Sequence, residues 1–187
     1  MPLHLINIGG GPAVDSMNTL ILLNKRDESL LRHPIVIHVL DLDDAGPFFG
    51  NTALVAHKAG SGPLAGRDIA FDHRPYDWDN SDLLKQLVGG LTAAGAIIAA
   101  SSEGGLFEYG SDEAIVANLL ALRARAQLVA GSVTTADELR RRAINKSRFK
   151  LIPRGLEGFA PLAARCGFRI AQAESAQLSD QVLLRPA

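Results

Sequence analysis

Cysteine is all but missing. The 187 residues include one, Cys166, which excludes an intramolecular disulfide and a cysteine-rich zinc site. Long hydrophobic runs are missing too: no segment approaches about 18 uninterrupted apolar residues, so no stretch reads as a membrane span. Aromatic residues supply only 5% of the chain, which leaves the core to aliphatic side chains. Charge of one sign is also scarce. With 19 Lys and Arg against 20 Asp and Glu the formal net charge is −1, which exerts no overall pull toward nucleic acid or an anionic membrane. No basic segment precedes the first apolar run, so a secretory leader is not expected and a cytoplasmic location follows by default.

What is present reads as a globular chain. Hydrophobic residues at 47% over this length suit one domain, 1–187, with one substantial core. The informative stretch is PLHLINIGGGPAVD, Pro2 to Asp15. Leu3 to Ile8 has the length and apolar content of an inner parallel strand, interrupted only by Asn7. Gly9, Gly10 and Gly11 then allow positive φ and let a ligand approach bare backbone, and Val14, Met17, Leu20 and Ile21 outline a helix. In open α/β sheets such a turn sits at the carboxyl end of a strand, where nucleotide-like ligands settle. An ordinary tight turn is the competing reading.

Four more strand and helix alternations follow. Ile35 to Leu40 is a second strand, entered through the polar bridge Lys25 to His33 and running into Asp41, Leu42, Asp43 and Asp44. Acids at a strand end accept hydrogen bonds from ribose hydroxyls, and Asp41 is the best placed; Asp43 and Asp44 serve equally as caps for a helix over 46–58. Asp68 to His73 is a third strand. After it, Trp78 beside Asp77 and Asp79 reads either as an adenine pocket or as a core anchor next to a helix cap. A helix follows around Leu83, Leu84 and Leu87.

Gly95 to Ala100 is a fourth strand, ending in SSEGGLFEYG, the loop richest in chemistry. Ser111 is the expected N-cap of a helix to about residue 125. Gln127 to Gly131 is a fifth strand, and Thr135 with Glu138 matches a capping box for a helix over 137–145. The basic run Arg140, Arg141, Arg142, Lys146, Arg148, Lys150 and Arg154 reads as a solvated face or as a rim for an anionic substrate, with Arg154 its best member. A short helix ends at Cys166 with Gly167 as its C′ residue. Phe168 to Ala173 and Gln181 to Arg185 then form an antiparallel hairpin.

The predicted fold is therefore α/β, Rossmann-like and doubly wound, a mostly parallel seven-stranded sheet ending in an antiparallel hairpin. This order resembles the class I S-adenosylmethionine-dependent methyltransferases over nearly the whole chain. INIGGGPA matches the family's first motif, with Gly9 and Gly11 at its first two glycines and Ala13 at the third; Asn7 stands where the family usually has an acid. HVLDLD is similar to the second motif. The terminal hairpin after Gly167 and Phe168 looks like the family's sixth and seventh strands.

The resemblance implies S-adenosyl-L-methionine as cofactor, held by Gly9, Gly10, Gly11, Asp41, Leu42, Asp77, Trp78, Ser101 and Ser102, and no metal. It implies a small-molecule acceptor, with Glu103 as base or orienting group; Glu103 reads equally as a brace for its loop, and Tyr109 and His73 are weaker alternatives. Methyl transfer demands chiefly in-line positioning, so the absence of a catalytic motif is expected.

Two departures stand out. The interval from Gly9 to Asp41 is about a dozen residues longer than the roughly 20 of such a unit, which makes Lys25 to His33 an insertion or a helix extension. The fourth-strand loop lacks the Asn-Pro-Pro-aromatic signature of enzymes that methylate nucleic acid bases, so no nucleic acid partner is expected. The first core strand begins by residue 3, so a lid that precedes this sheet in a relative is expected to be absent or supplied by another chain. A non-catalytic cofactor-binding subunit is the second reading, and a homo-oligomer is compatible with either. A nicotinamide oxidoreductase is the third, disfavoured because Val14 stands where G-x-G-x-x-G needs glycine.

Overall fold

Short apolar runs become strands wherever β-branched and aliphatic residues cluster between turn residues. A computed structural model describes residues 1–123 and 125–187. The strands are β1 Leu3–Ile8, β2 Ile35–Leu40, β3 Ile69–Arg74, β4 Ile97–Ser102, β5 Leu128–Thr134, β6 Phe168–Ser175 and β7 Ser179–Pro186. They pair in the order β3-β2-β1-β4-β5-β7-β6. β1 to β5 are mutually parallel, β7 runs against β5, and β6 runs against β7. Strand order reverses between β1 and β4, which opens a crevice at their carboxyl ends.

The helices are α1 Val14–Arg26, α2 Ala45–Lys58, α3 Asp82–Ala93, α4 Leu106–Tyr109, α5 Asp112–Leu122, α6 Glu138–Lys146 and α7 Gly155–Arg165. Successive strand residues point to opposite faces, and β1 shows the result. Ile6 and Ile8 enter a core shared with α3, α5 and α7, while Leu3 and Leu5 lean on a second core formed with α1 and α2. On that second face an apolar groove of about 340 Å³ lies between α1 and β4–β5, walled by Leu3, Leu5, Leu23, Ala99, Leu128 and Ala130. Two histidines inside strands find each other. His4 Nδ1 lies 2.8 Å from His38 Nε2, and His38 Nδ1 lies 2.9 Å from an Asp72 carboxylate oxygen. Burial holds both rings below the ordinary histidine value.

Several expectations are corrected. β4 runs on to Ser102, because Ser101 and Ser102 still pair with Ala130 and Gly131 of β5; these serines are strand residues, not loop residues. β5 runs three residues past Gly131, since β7 offers it partners as far as Ser179. The hairpin strands extend into the polar segment between them, which an exposed edge strand tolerates. Asp137, not Thr135, caps α6, accepting from the Arg140 N–H at 2.8 Å. The residues before Pro34 are a helix extension followed by a 3₁₀ turn, Glu28–Leu31, whose Leu31 is buried in the second core. α5 ends at Leu122, short of the expected residue 125, and residue 124 lies outside those described. Ser111 does cap α5, and Gly167 takes the positive φ of 73° that a C′ residue needs.

Candidate active site

The three glycines serve three different neighbours. A Cβ at Gly9 meets the Trp78 ring at 2.5 Å, and one at Gly10 meets the Asn7 amide oxygen at 2.0 Å. Only Gly11, with φ 51°, has no atom within 4 Å of the place a Cβ takes. The bareness of Gly9 and Gly10 is therefore used by the protein itself, and that of Gly11 faces open space. Ala13, at the family's third glycine, keeps a left-handed φ of 53°.

Asp41 ties this turn to β2. One carboxylate oxygen accepts from the Gly11 N–H at 2.9 Å and the other from the Asp43 N–H at 2.9 Å. His73 braces the same turn, its Nε2 lying 3.0 Å from the Asp41 carbonyl. Each carboxylate oxygen keeps a lone pair for a further donor. Asp43 does the capping instead, accepting from Ala45 and Gly46 N–H at 3.3 Å. Leu42 projects from the turn and is 68% exposed.

Trp78 is half-buried, resting on Gly9 and on the core. Its carbonyl accepts from Asn118 Nδ2 at 2.8 Å, and Asn118 Oδ1 accepts from the Tyr76 hydroxyl at 2.6 Å. α5 thereby fixes the indole beside the glycine turn. Asp77 is exposed and accepts from the Asp79 N–H at 3.0 Å.

At the end of β4 the two serines part company. The Ser101 hydroxyl donates to Asp15 at 2.7 Å and accepts from Asn7 Nδ2 at 3.3 Å, while Asn7 also donates to Asp15 at 2.7 Å. Asp15 thus supplies a carboxylate beside the position where Asn7 lacks one. Sequence reasoning missed it, because an acid in a helix's first turn ordinarily serves the dipole. Ser102 is 1% exposed and donates to the Ile8 carbonyl at 3.0 Å, so it fastens β4 to β1 and is absent from the crevice wall.

Glu103 follows. Burial pushes its carboxyl above the ordinary value, Ser132 nearby opposes this, and Asp15 and Glu108 add repulsion. The Gly104 N–H donates to Ser132 at 3.1 Å, and a Cβ at Gly105 meets the Gly9 carbonyl oxygen at 2.5 Å, so this segment lies directly on the glycine turn. One turn on, Glu108 faces a second pocket, and burial raises its carboxyl too. Arg154 is not a rim residue: its Nε donates to Asp112 at 2.7 Å and its Nη1 to the Phe107 carbonyl at 3.3 Å. Among the described residues no helix is long and apolar enough to cross a membrane.

No family model matches the chain, and no curated protein does. Solved structures do. The fold is that of the class I S-adenosylmethionine-dependent methyltransferases. Magnesium protoporphyrin IX methyltransferase (ChlM) from Synechocystis PCC 6803, solved with bound SAH, superposes with a TM-score of 0.62 at 15% identity, over 100% of this chain and 75% of that one. The O-methyltransferase NcsB1 from neocarzinostatin biosynthesis, in complex with S-adenosyl-L-homocysteine and 1,4-dihydroxy-2-naphthoic acid, gives 0.57 at 16% identity, over 98% and 49%. A pericyclic reaction enzyme gives 0.62 at 10% identity, over 100% and 43%. The chain spans about half the length of these last two.

Proposed function

We propose that the chain is an S-adenosylmethionine-dependent methyltransferase for a small-molecule acceptor, with the cofactor lying across the carboxyl ends of β1, β2 and β4. The observation that carries this is Gly11. The place a Cβ would take on it is open, beside a carboxylate, Asp41, that has acceptor capacity to spare for a sugar hydroxyl. The chain's residues fit that group, with Leu42, Asp77 and Trp78 around the base and Ser101 and Asp15 toward the amino acid end. Ser102 is left a structural part.

When bound, the cofactor supplies an electrophilic methyl group on a sulfonium. The chain's contribution is placement and proton removal. Glu103, at the end of β4 against the glycine turn, takes the proton of the acceptor's nucleophile. The ionised form does this work, so turnover rises as pH rises through a carboxyl value that burial sets above the ordinary one.

The test is release of S-adenosylhomocysteine from S-adenosylmethionine across a panel of hydroxylated and amino acceptors. Turnover is expected, with Glu103→Gln losing the acidic limb of its pH profile and about 10²–10⁴-fold in rate. A second reading, a cofactor-binding subunit without methyl transfer, draws on Asn7 in place of the usual acid and on a fold that also serves a pericyclic enzyme. Tight cofactor binding with no turnover across the panel would favour it.

A further inference from the structure

The basic run on α6 has no part in the cofactor crevice, yet it borders a pocket of about 380 Å³ between α4 and α6. Its other walls are Tyr109, Ala143, Ile144, Ser147, Phe149 and Leu151, a largely apolar lining that includes two aromatic rings. Two charged groups line it as well, Glu108 from α4 and Arg140 from α6, whose charges act on each other, and Glu103 is near enough to feel the Glu108 charge. Arg140 is half-buried, and its Nε is buried with no hydrogen-bond partner among the described residues. Nor does it take part in any ion pair among them.

Thr134 Oγ1, fully buried, is near enough to Glu108 to steady its carboxylate and has no other partner among the described residues. The wall itself is anchored, since the Ile152 N–H donates to the Glu108 carbonyl at 2.8 Å and Arg154 clamps α4 to α5. Beside it, Lys146, Arg148 and Lys150 are exposed and adjoin the lining residues Ser147, Phe149 and Leu151 in sequence, a cationic rim.

A guanidinium with a free fork matches a carboxylate, and a pair of carboxylates matches a hydroxyl donor. We propose that the acceptor is an apolar, aromatic hydroxy acid seated between α4 and α6, its carboxylate on Arg140 and its hydroxyl toward Glu103 and Glu108. This rests on the methyl-transfer reading. An oxygen–carbon bond forms to the hydroxyl oxygen as the methyl–sulfur bond breaks. The electron pair stays on sulfur, leaving a neutral thioether, and the hydroxyl proton goes to Glu103. The cationic rim draws the anion in.

The experiment titrates 6-hydroxy-2-naphthoic acid, whose hydroxyl and carboxylate stand at opposite ends of the rings, and 2-naphthol into the protein, each with and without S-adenosylhomocysteine. The acid is expected to bind about ten- to a hundredfold more tightly than the naphthol, the range of a charge-assisted hydrogen bond to a half-buried cation. Arg140→Gln should abolish that advantage with S-adenosylhomocysteine affinity unchanged, Arg140→Lys should keep part of it, and the exposed Arg141→Gln should keep all of it. Equal binding of the two probes, or an advantage that survives Arg140→Gln, overturns the proposal while leaving cofactor binding to stand. An Arg140-dependent advantage in a protein that does not bind S-adenosylhomocysteine keeps the pocket and removes the methyl transfer.

Discussion

Gly11→Val is expected to yield a folded protein that no longer binds S-adenosylhomocysteine. The left-handed backbone at φ 51° makes any side chain there unfavourable, by about 1–2 kcal/mol, and the protein bears this because nothing lies within 4 Å to clash. The added side chain stands where the ligand must approach, which costs at least about 3 kcal/mol of binding, or roughly a hundredfold. The neighbouring position makes the control. Gly10→Val drives a Cβ into the Asn7 amide, so its loss of binding is expected to come with loss of the fold. Circular dichroism and titration calorimetry on the two variants separate these outcomes. Undiminished affinity in folded Gly11→Val places the ligand elsewhere.

Asp41→Ala is expected to weaken cofactor binding by about 1–3 kcal/mol, the value of a hydrogen bond from a sugar hydroxyl to a charged acceptor together with the loosened turn. Its carboxylate holds the Gly11 and Asp43 N–H groups, so the variant loses both pre-organisation and the ligand contact. Asp43→Ala discriminates. Asp43 caps α2, so its removal should lower stability by about 0.5–2 kcal/mol and leave affinity alone. If the two variants change affinity equally, Asp41 has no special part in the site.

Much of the architecture was legible because it depends on short-range pattern. The apolar runs of β1 and β2, the glycine turn, the Ser111 cap and the Gly167 C′ residue are each set by neighbours in sequence. What escaped depends on pairing at a distance. Whether Ser101 and Ser102 belong to a loop or a strand is decided by Ala130 and Gly131, and the length of β5 is decided by β7. The role of each glycine was equally hidden, since Gly9 answers to Trp78 and Gly10 to a side chain folded back beneath it. The part of Asp15 was hidden as well, since it is set by Asn7 and Ser101 converging on its carboxylate. Arg154 and Arg140 exchanged parts for the same reason: the Asp112 carboxylate and the Phe107 carbonyl claim the first, while the Nε of the second has no partner among the described residues.

The protein carries one tryptophan, and its ring lies against Gly9 at the mouth of the crevice. Titrating S-adenosylhomocysteine while following the emission of Trp78 therefore tests the central claim most directly. A saturable, one-to-one change that Gly11→Val abolishes is the predicted result. An emission spectrum that stays constant through the millimolar range, with no heat of binding, contradicts it.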